Sequence, residues 1–133
     1  MKRIFLRLHA ILFLAFPLLS AGEITILFPK TGNICFEGEF CPIVWKSTFK
    51  GPLCIESAVG GHDKGILNDC ATPASRGFYL WYIPKGYVTY FGIPGSDDVR
   101  VVLYPKGSDR LTFSQEFTVQ GRSEHGDPIF LKK

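Results

Sequence analysis

After residue 22 the sequence has no stretch in which apolar residues recur at helical spacing, and this argues against a helical body. It has no Cys-x-x-Cys pair. The four cysteines are spaced by six, thirteen and sixteen residues, which disfavours a structural zinc site. No serine stands in a Gly-x-Ser-x-Gly setting, so the nucleophile elbow of an α/β-hydrolase is missing. The chain also lacks an apolar run long enough to cross a bilayer. The run Ala10 to Leu19 is about half the roughly 20 residues such a helix needs, and Pro17 interrupts it. No cysteine stands at position 22, where a bacterial lipid anchor would require one.

Excess charge is missing too. Fifteen basic residues stand against twelve acidic ones, and Lys2, Arg3 and Arg7 lie in the first seven positions. Without those three the balance is twelve against twelve. The remaining chain therefore has no electrostatic case for nucleic acid. A basic start, a short apolar middle and the small residues Ser20-Ala21-Gly22 are the order of a secretory signal, with cleavage expected after Ala21. The expected organisation is a signal peptide at 1–21, a domain at 22–120 and a flexible polar tail at 121–133. That tail carries one apolar patch, Ile129-Phe130-Leu131. The localisation that follows is secreted, periplasmic or cell-surface, with no membrane span after cleavage.

What is present is a succession of short alternating segments. The central one is Cys41-Pro42-Ile43-Val44-Trp45-Lys46-Ser47, where Cys41, Ile43 and Trp45 share one face. A tryptophan here can bury about 200 Å² and seed a core. Ile24 to Phe28 alternates before it. Leu53 to Val59, Phe78 to Ile83, Val99 to Tyr104 and Phe113 to Val119 follow, with Ile66-Leu67 as a further short strand. Gly60 to Gly65 reads as a polar loop, and Lys85 to Ser96 as a longer one punctuated by Gly and Pro. About seven strands separated by turn signals predict an all-β antiparallel sandwich of the immunoglobulin or fibronectin-III kind.

An even number of cysteines in a small exported domain predicts two disulfides. Cys41 shares the inward face of Trp45, whereas Cys54 faces away from Leu53 and Ile55, so a bond between them would cross a sheet. The pairing expected is Cys35–Cys41 and Cys54–Cys70.

The order Ile24, Ile26, Pro29, Gly32, Gly38, Ile43, Trp45, then Gly77, Tyr79, Trp81, Ile83, Pro84, then Val99-Arg100-Val101, then Ser114 and Phe117, resembles one family. It is similar to the immunoglobulin-like domain at the start of fungal cell-wall β-glucan synthesis proteins and of Ser/Thr-rich, glycolipid-anchored surface proteins. The likeness runs from Ile24 to Val119. It implies an extracytoplasmic sandwich with a wall or surface role and no catalytic residues. The chain departs from that pattern in having no Ser/Thr-rich stalk, no anchor tail and four added cysteines.

Polar candidates for chemistry are thin. His62-Asp63 lies in a Gly-rich stretch, and only His125 could add an imidazole, short of the three ligands a metal site needs. The carboxylate pairs Glu37 with Glu39 and Asp97 with Asp98 fall at turns, where acidic residues are ordinary. No catalytic residue, metal or cofactor is assigned. The aromatic residues speak more clearly. If Tyr79, Trp81 and Ile83 face inward, then Phe78, Leu80 and Tyr82 face outward, where a soluble sheet ordinarily carries polar groups. With Tyr87, Tyr90 and Phe91 in the following loop they form the expected binding patch. It suits a protein partner, a cell-surface glycan or a second copy of the chain. The expected function is an exported, non-catalytic binding or adhesion module. The alternatives are a glucan-binding module and a small secreted hydrolase or inhibitor.

Overall fold

Alternation puts Cys41, Ile43 and Trp45 on one side of a strand, and all three side chains are buried there. The computed structural model describes residues 23–122; the expected signal and Ile129-Phe130-Leu131 lie outside them. The described strands are β1 (Ile24–Phe28), β2 (Ile34–Phe36), β3 (Phe40–Ser47), β4 (Pro52–Val59) and β5 (His62–Ile66). They continue as β6 (Thr72–Pro73), β7 (Phe78–Tyr82), β8 (Gly95–Pro105), β9 (Thr112–Phe113) and β10 (Phe117–Gln120). One sheet runs β1-β3-β7. The other runs β2-β10-β8-β4-β5, with β6 added beside β4 and β9 beside β8. The fold is an all-β sandwich of the immunoglobulin and fibronectin-III type, with β3 and β8 central in opposite sheets. Every pairing is antiparallel except β2 with β10, which is parallel.

The core lies between the layers. The smaller sheet supplies Ile43, Trp45 and Trp81, with Ile83 just beyond β7; the larger supplies Leu53, Ile55, Val99, Val101, Leu103, Phe117 and Val119. Each of these large side chains contributes about 1.5–3 kcal/mol when fully buried. The Trp45 indole N–H donates to the Ala74 carbonyl at 2.8 Å, so its polar edge is satisfied inside the core. Ala74 belongs to a 3-10 turn, Ala74–Arg76, that ends at Gly77. Gly77 has φ +76, a conformation that suits glycine, and it starts the chain into β7.

The disulfides join Cys35 to Cys41 and Cys54 to Cys70. The first links β2 to β3, and so one sheet to the other. The second ties β4 to the segment that follows β5.

Three local expectations differ from the structure. Gly60 to Gly65 is not a loop throughout. Gly60-Gly61 makes the turn and His62–Ile66 returns as β5, pairing with β4. Its side chains are mostly exposed because β5 is a sheet edge, which removes the alternation that betrays a half-buried strand. Phe113 to Val119 is broken at Ser114, whose Oγ accepts from the Val101 amide and donates to the Gln115 carbonyl. Those bonds divide the segment into β9 and β10. Ten strands are therefore described where about seven were expected, since β2, β6 and β9 are only two or three residues long.

Candidate functional site

The smaller sheet has an outer face, and its composition follows from register. Phe40 stands opposite Tyr82, Pro42 opposite Leu80, and Val44 opposite Phe78. Residues directly opposite across an antiparallel pair project to the same side. Since Cys41, Ile43, Tyr79 and Trp81 point inward, these six point outward. Phe40 is 65% exposed, Phe78 49%, Leu80 53% and Tyr82 49%. The Phe40 and Tyr82 rings meet edge to face at 5.4 Å, a geometry aromatic pairs favour. The three rings alone present about 300 Å² of surface. That is already the size of the largest apolar patch on many monomers, which is often functional.

Phe78, Leu80 and Tyr82 thus lie together on one face. Phe40 completes it and was missed by sequence reading. Its signal was its parity with Ile43 and Trp45, which assigns Phe40 to the side away from the core. Tyr90 is 80% exposed, but it sits in the loop after β7 and not on the sheet. Phe91 ends the 3-10 turn Thr89–Phe91.

Tyr87 does not belong to the patch. Its ring packs edge to face on Trp81 at 5.2 Å, and its hydroxyl donates to Ser57 Oγ on β4 at 2.6 Å. It therefore bridges the two sheets. Burial is the main reason its hydroxyl pKa is pushed up to about 12; the Asp63 charge adds to the rise, and the Ser57 bond opposes it.

Glu37 is the other departure. It reads as an ordinary turn acid, yet it is buried. Its Oε1 accepts from the Gly86 amide and the Thr89 hydroxyl, and its Oε2 from the Val88 and Thr89 amides, at 2.6–3.0 Å. Burial raises its pKa, but these four hydrogen bonds together outweigh burial and hold the carboxyl below its ordinary value. The carboxylate fastens the loop after β7 to the turn between β2 and β3. Its oxygens are already engaged within the fold and are not presented to a substrate.

The remaining acids and histidines do not converge. His62 and Asp63 are exposed on β5, and Asp63 Oδ1 accepts from the Gly65 amide. Glu39 pairs with Arg122 at 3.0 Å. Asp98 accepts from the Ser96 hydroxyl. Among the described residues no group of three His, Cys, Asp or Glu is placed to hold a metal ion. A cleft of about 240 Å³ lies between β1 and β9, lined by Glu23, Ile24, Pro105, Arg110, Leu111 and Thr112. It offers no imidazole, thiol or serine hydroxyl. Among the described residues no helix is long and apolar enough to cross a membrane.

No family model and no curated protein matches the chain. Among solved structures it is similar to one described as the fibronectin(III)-like modules of CbhA from Clostridium thermocellum, at 14% identity and a TM-score of 0.38. The match covers 75% of this chain and 46% of that one, so this chain spans less than half of that structure. A likeness at that level says nothing about function.

Proposed function

We propose that the chain is an exported, non-catalytic binding module whose contact surface is the outer face of the β1-β3-β7 sheet. One observation carries this reading. Three facing pairs, Phe40 with Tyr82, Pro42 with Leu80 and Val44 with Phe78, put only apolar and aromatic side chains where a monomeric sheet ordinarily carries polar ones. Two disulfides in so small a domain support an oxidising destination, and the signal-like first 21 residues agree with it. A wall- or surface-associated role, as in the family the sequence resembles, fits that destination. Tyr and Phe side chains supply much contact area with little rotamer entropy to lose, so Phe78, Tyr82 and Phe40 are the expected hot spots.

The test compares the mature chain with a Phe78→Ser, Tyr82→Ser variant. Each is immobilised and exposed to the envelope fraction of the source cells, and to insoluble β-glucan and chitin. A protein retained by the wild type and lost by the variant supports the reading. Retention on glucan that depends on the same two residues assigns a glycan ligand to the face. Equal retention of every partner by both chains removes this surface from the argument.

A further inference from the structure

We infer that the free edge of β7 takes up an added strand from a partner, an extended segment with alternating apolar side chains and acidic residues at its ends. This rests on the binding reading above and specifies how the face is used.

The argument begins with main-chain groups. The Trp45 amide donates to the Gly77 carbonyl, and the Ile83 amide donates to the Glu39 carbonyl. Hydrogen-bonded pairs alternate along an antiparallel ladder. Tyr79 and Trp81 therefore spend their amides and carbonyls on β3, as Gly77 does its carbonyl, while Ile83 bonds to the Gly38-Glu39 turn just before β3. Phe78, Leu80 and Tyr82 turn theirs the other way. β7 is the last strand of its sheet, so among the described residues no strand receives those groups. The same three residues carry the exposed apolar side chains. An added strand would thus gain backbone bonds and side-chain contacts at the same positions.

The edge is also unguarded. Exposed edge strands are ordinarily protected by an inward charge, a proline or a bulge. Phe78 to Tyr82 contains no charge and no proline, and its register with β3 is continuous.

Charge then selects the occupant. Arg76 stands just before β7 and Lys85 just after it, both exposed. Lys46 lies on the same outer face beside Val44. None of the three is ion-paired to another described residue, and no acidic residue occurs from Ala74 to Thr89. A second copy pairing antiparallel about Leu80 would set Arg76 of one chain opposite Pro84 of the other, one residue from its Lys85, at both ends. Like charges so placed oppose self-pairing. An incoming strand with acidic ends meets a cation at each end instead.

The test uses two nine-residue peptides, Asp-Thr-Val-Thr-Val-Thr-Val-Thr-Asp and its counterpart with Lys at both ends, titrated by calorimetry at low and high salt. In the antiparallel register the three valines face Phe78, Leu80 and Tyr82. The Asp-ended peptide is expected to bind about tenfold more tightly, because exposed attractions replace repulsions at both ends, and salt should shrink the difference. Leu80→Pro removes an outward amide without touching the ladder to β3 and should abolish binding. Should that variant fail to fold, Arg76→Glu with Lys85→Glu, both on exposed side chains, should reverse the preference between the two peptides. Binding that survives Leu80→Pro but falls with Phe78→Ser, Tyr82→Ser keeps the contact face and overturns strand addition. Binding indifferent to all three variants overturns both. Equal affinity for the two peptides overturns the charge selection. Two further results also overturn the proposal: a concentration-dependent dimer that Leu80→Pro dissolves, or peptide binding that emerges only after Ile129→Ser, Leu131→Ser in the whole chain. The first assigns the edge to a second copy, the second to this chain's own C-terminal segment.

Discussion

A carboxylate buried without a cation is tolerable only when hydrogen bonds replace the water it has lost. Glu37 meets that condition with three amides and a hydroxyl. Its pKa is lowered from 4.5, so the stability it contributes is present above that pH and is lost as pH falls through the lower folded-state value. Glu37→Gln keeps the shape but removes the charge and turns one acceptor into a donor facing other donors. At pH 7 we expect it to cost about 1–3 kcal/mol. Thermal melts of both proteins from pH 7 down to pH 3 check this: the gap should close on acidification, and a gap independent of pH would contradict the assignment. Tyr87 and Ser57 allow a separate check. Tyr87→Phe leaves the fully buried Ser57 hydroxyl without its donor and should cost about 1–2 kcal/mol. Adding Ser57→Ala should recover most of that loss, a coupling a double-mutant cycle measures directly. Additive losses would mean the hydroxyl pair is incidental.

At the scale of elements, the larger sheet has a gap that a side chain fills. β5 leaves β4 at Ile66, and β6 rejoins it only opposite Pro52 and Leu53. Between them Asn68 acts as a substitute strand. Its Oδ1 accepts from the Ile55 amide, and its Nδ2 donates to the Leu53 carbonyl and the Thr72 hydroxyl. The Cys54–Cys70 bond holds the same segment against β4. Asn68→Ala strands two buried main-chain groups and should cost at least about 2 kcal/mol. Replacing Cys54 and Cys70 by Ala opens a loop of sixteen residues, worth about 3 kcal/mol, whereas opening the six-residue Cys35–Cys41 loop should cost about 2 kcal/mol. Urea unfolding of the three variants ranks them, and an Asn68→Ala protein as stable as wild type would show that water serves those groups equally well. The disulfide pairing was legible in the parity of Cys41 and Cys54, but the Asn68 bridge was not, and the reason is physical. β3 announces itself through Cys41, Ile43 and Trp45 at alternate positions, and β7 and β8 as short runs of aromatic and β-branched residues bounded by turn signals. Asn68 pairs with residues thirteen and fifteen positions away, and Glu37 with residues about fifty away. No local period records such partnerships. Tyr87 misled for the same reason: an aromatic in a Gly-rich loop looks the same in sequence whether the loop folds outward or inward onto Trp81. The outer face was legible because it is the complement of a legible inner one.

On the scale of the whole molecule, two properties meet. From Gly22 onward the chain carries twelve basic and twelve acidic residues, since Lys2, Arg3 and Arg7 precede it. A protein with no net charge has little long-range repulsion to keep copies apart. The sheet face of Phe40, Leu80, Phe78 and Tyr82 then supplies an apolar contact that nothing among the described residues covers. The local cations at Arg76 and Lys85 oppose ordered edge pairing, but they do not prevent non-specific stacking of apolar faces, which needs no register. Residues 22–133 on their own should therefore be least soluble near neutrality. Phe40→Lys with Leu80→Lys should raise its solubility there, by breaking the patch and adding two charges. Both residues are more than half exposed, so the double variant should melt within about 5 °C of the wild type. Light scattering against concentration at pH 7, with matched melts, tests this. If scattering is unchanged while the fold is intact, the face is not the surface through which copies meet, and the reason for its apolar composition must be sought in the loops at its ends.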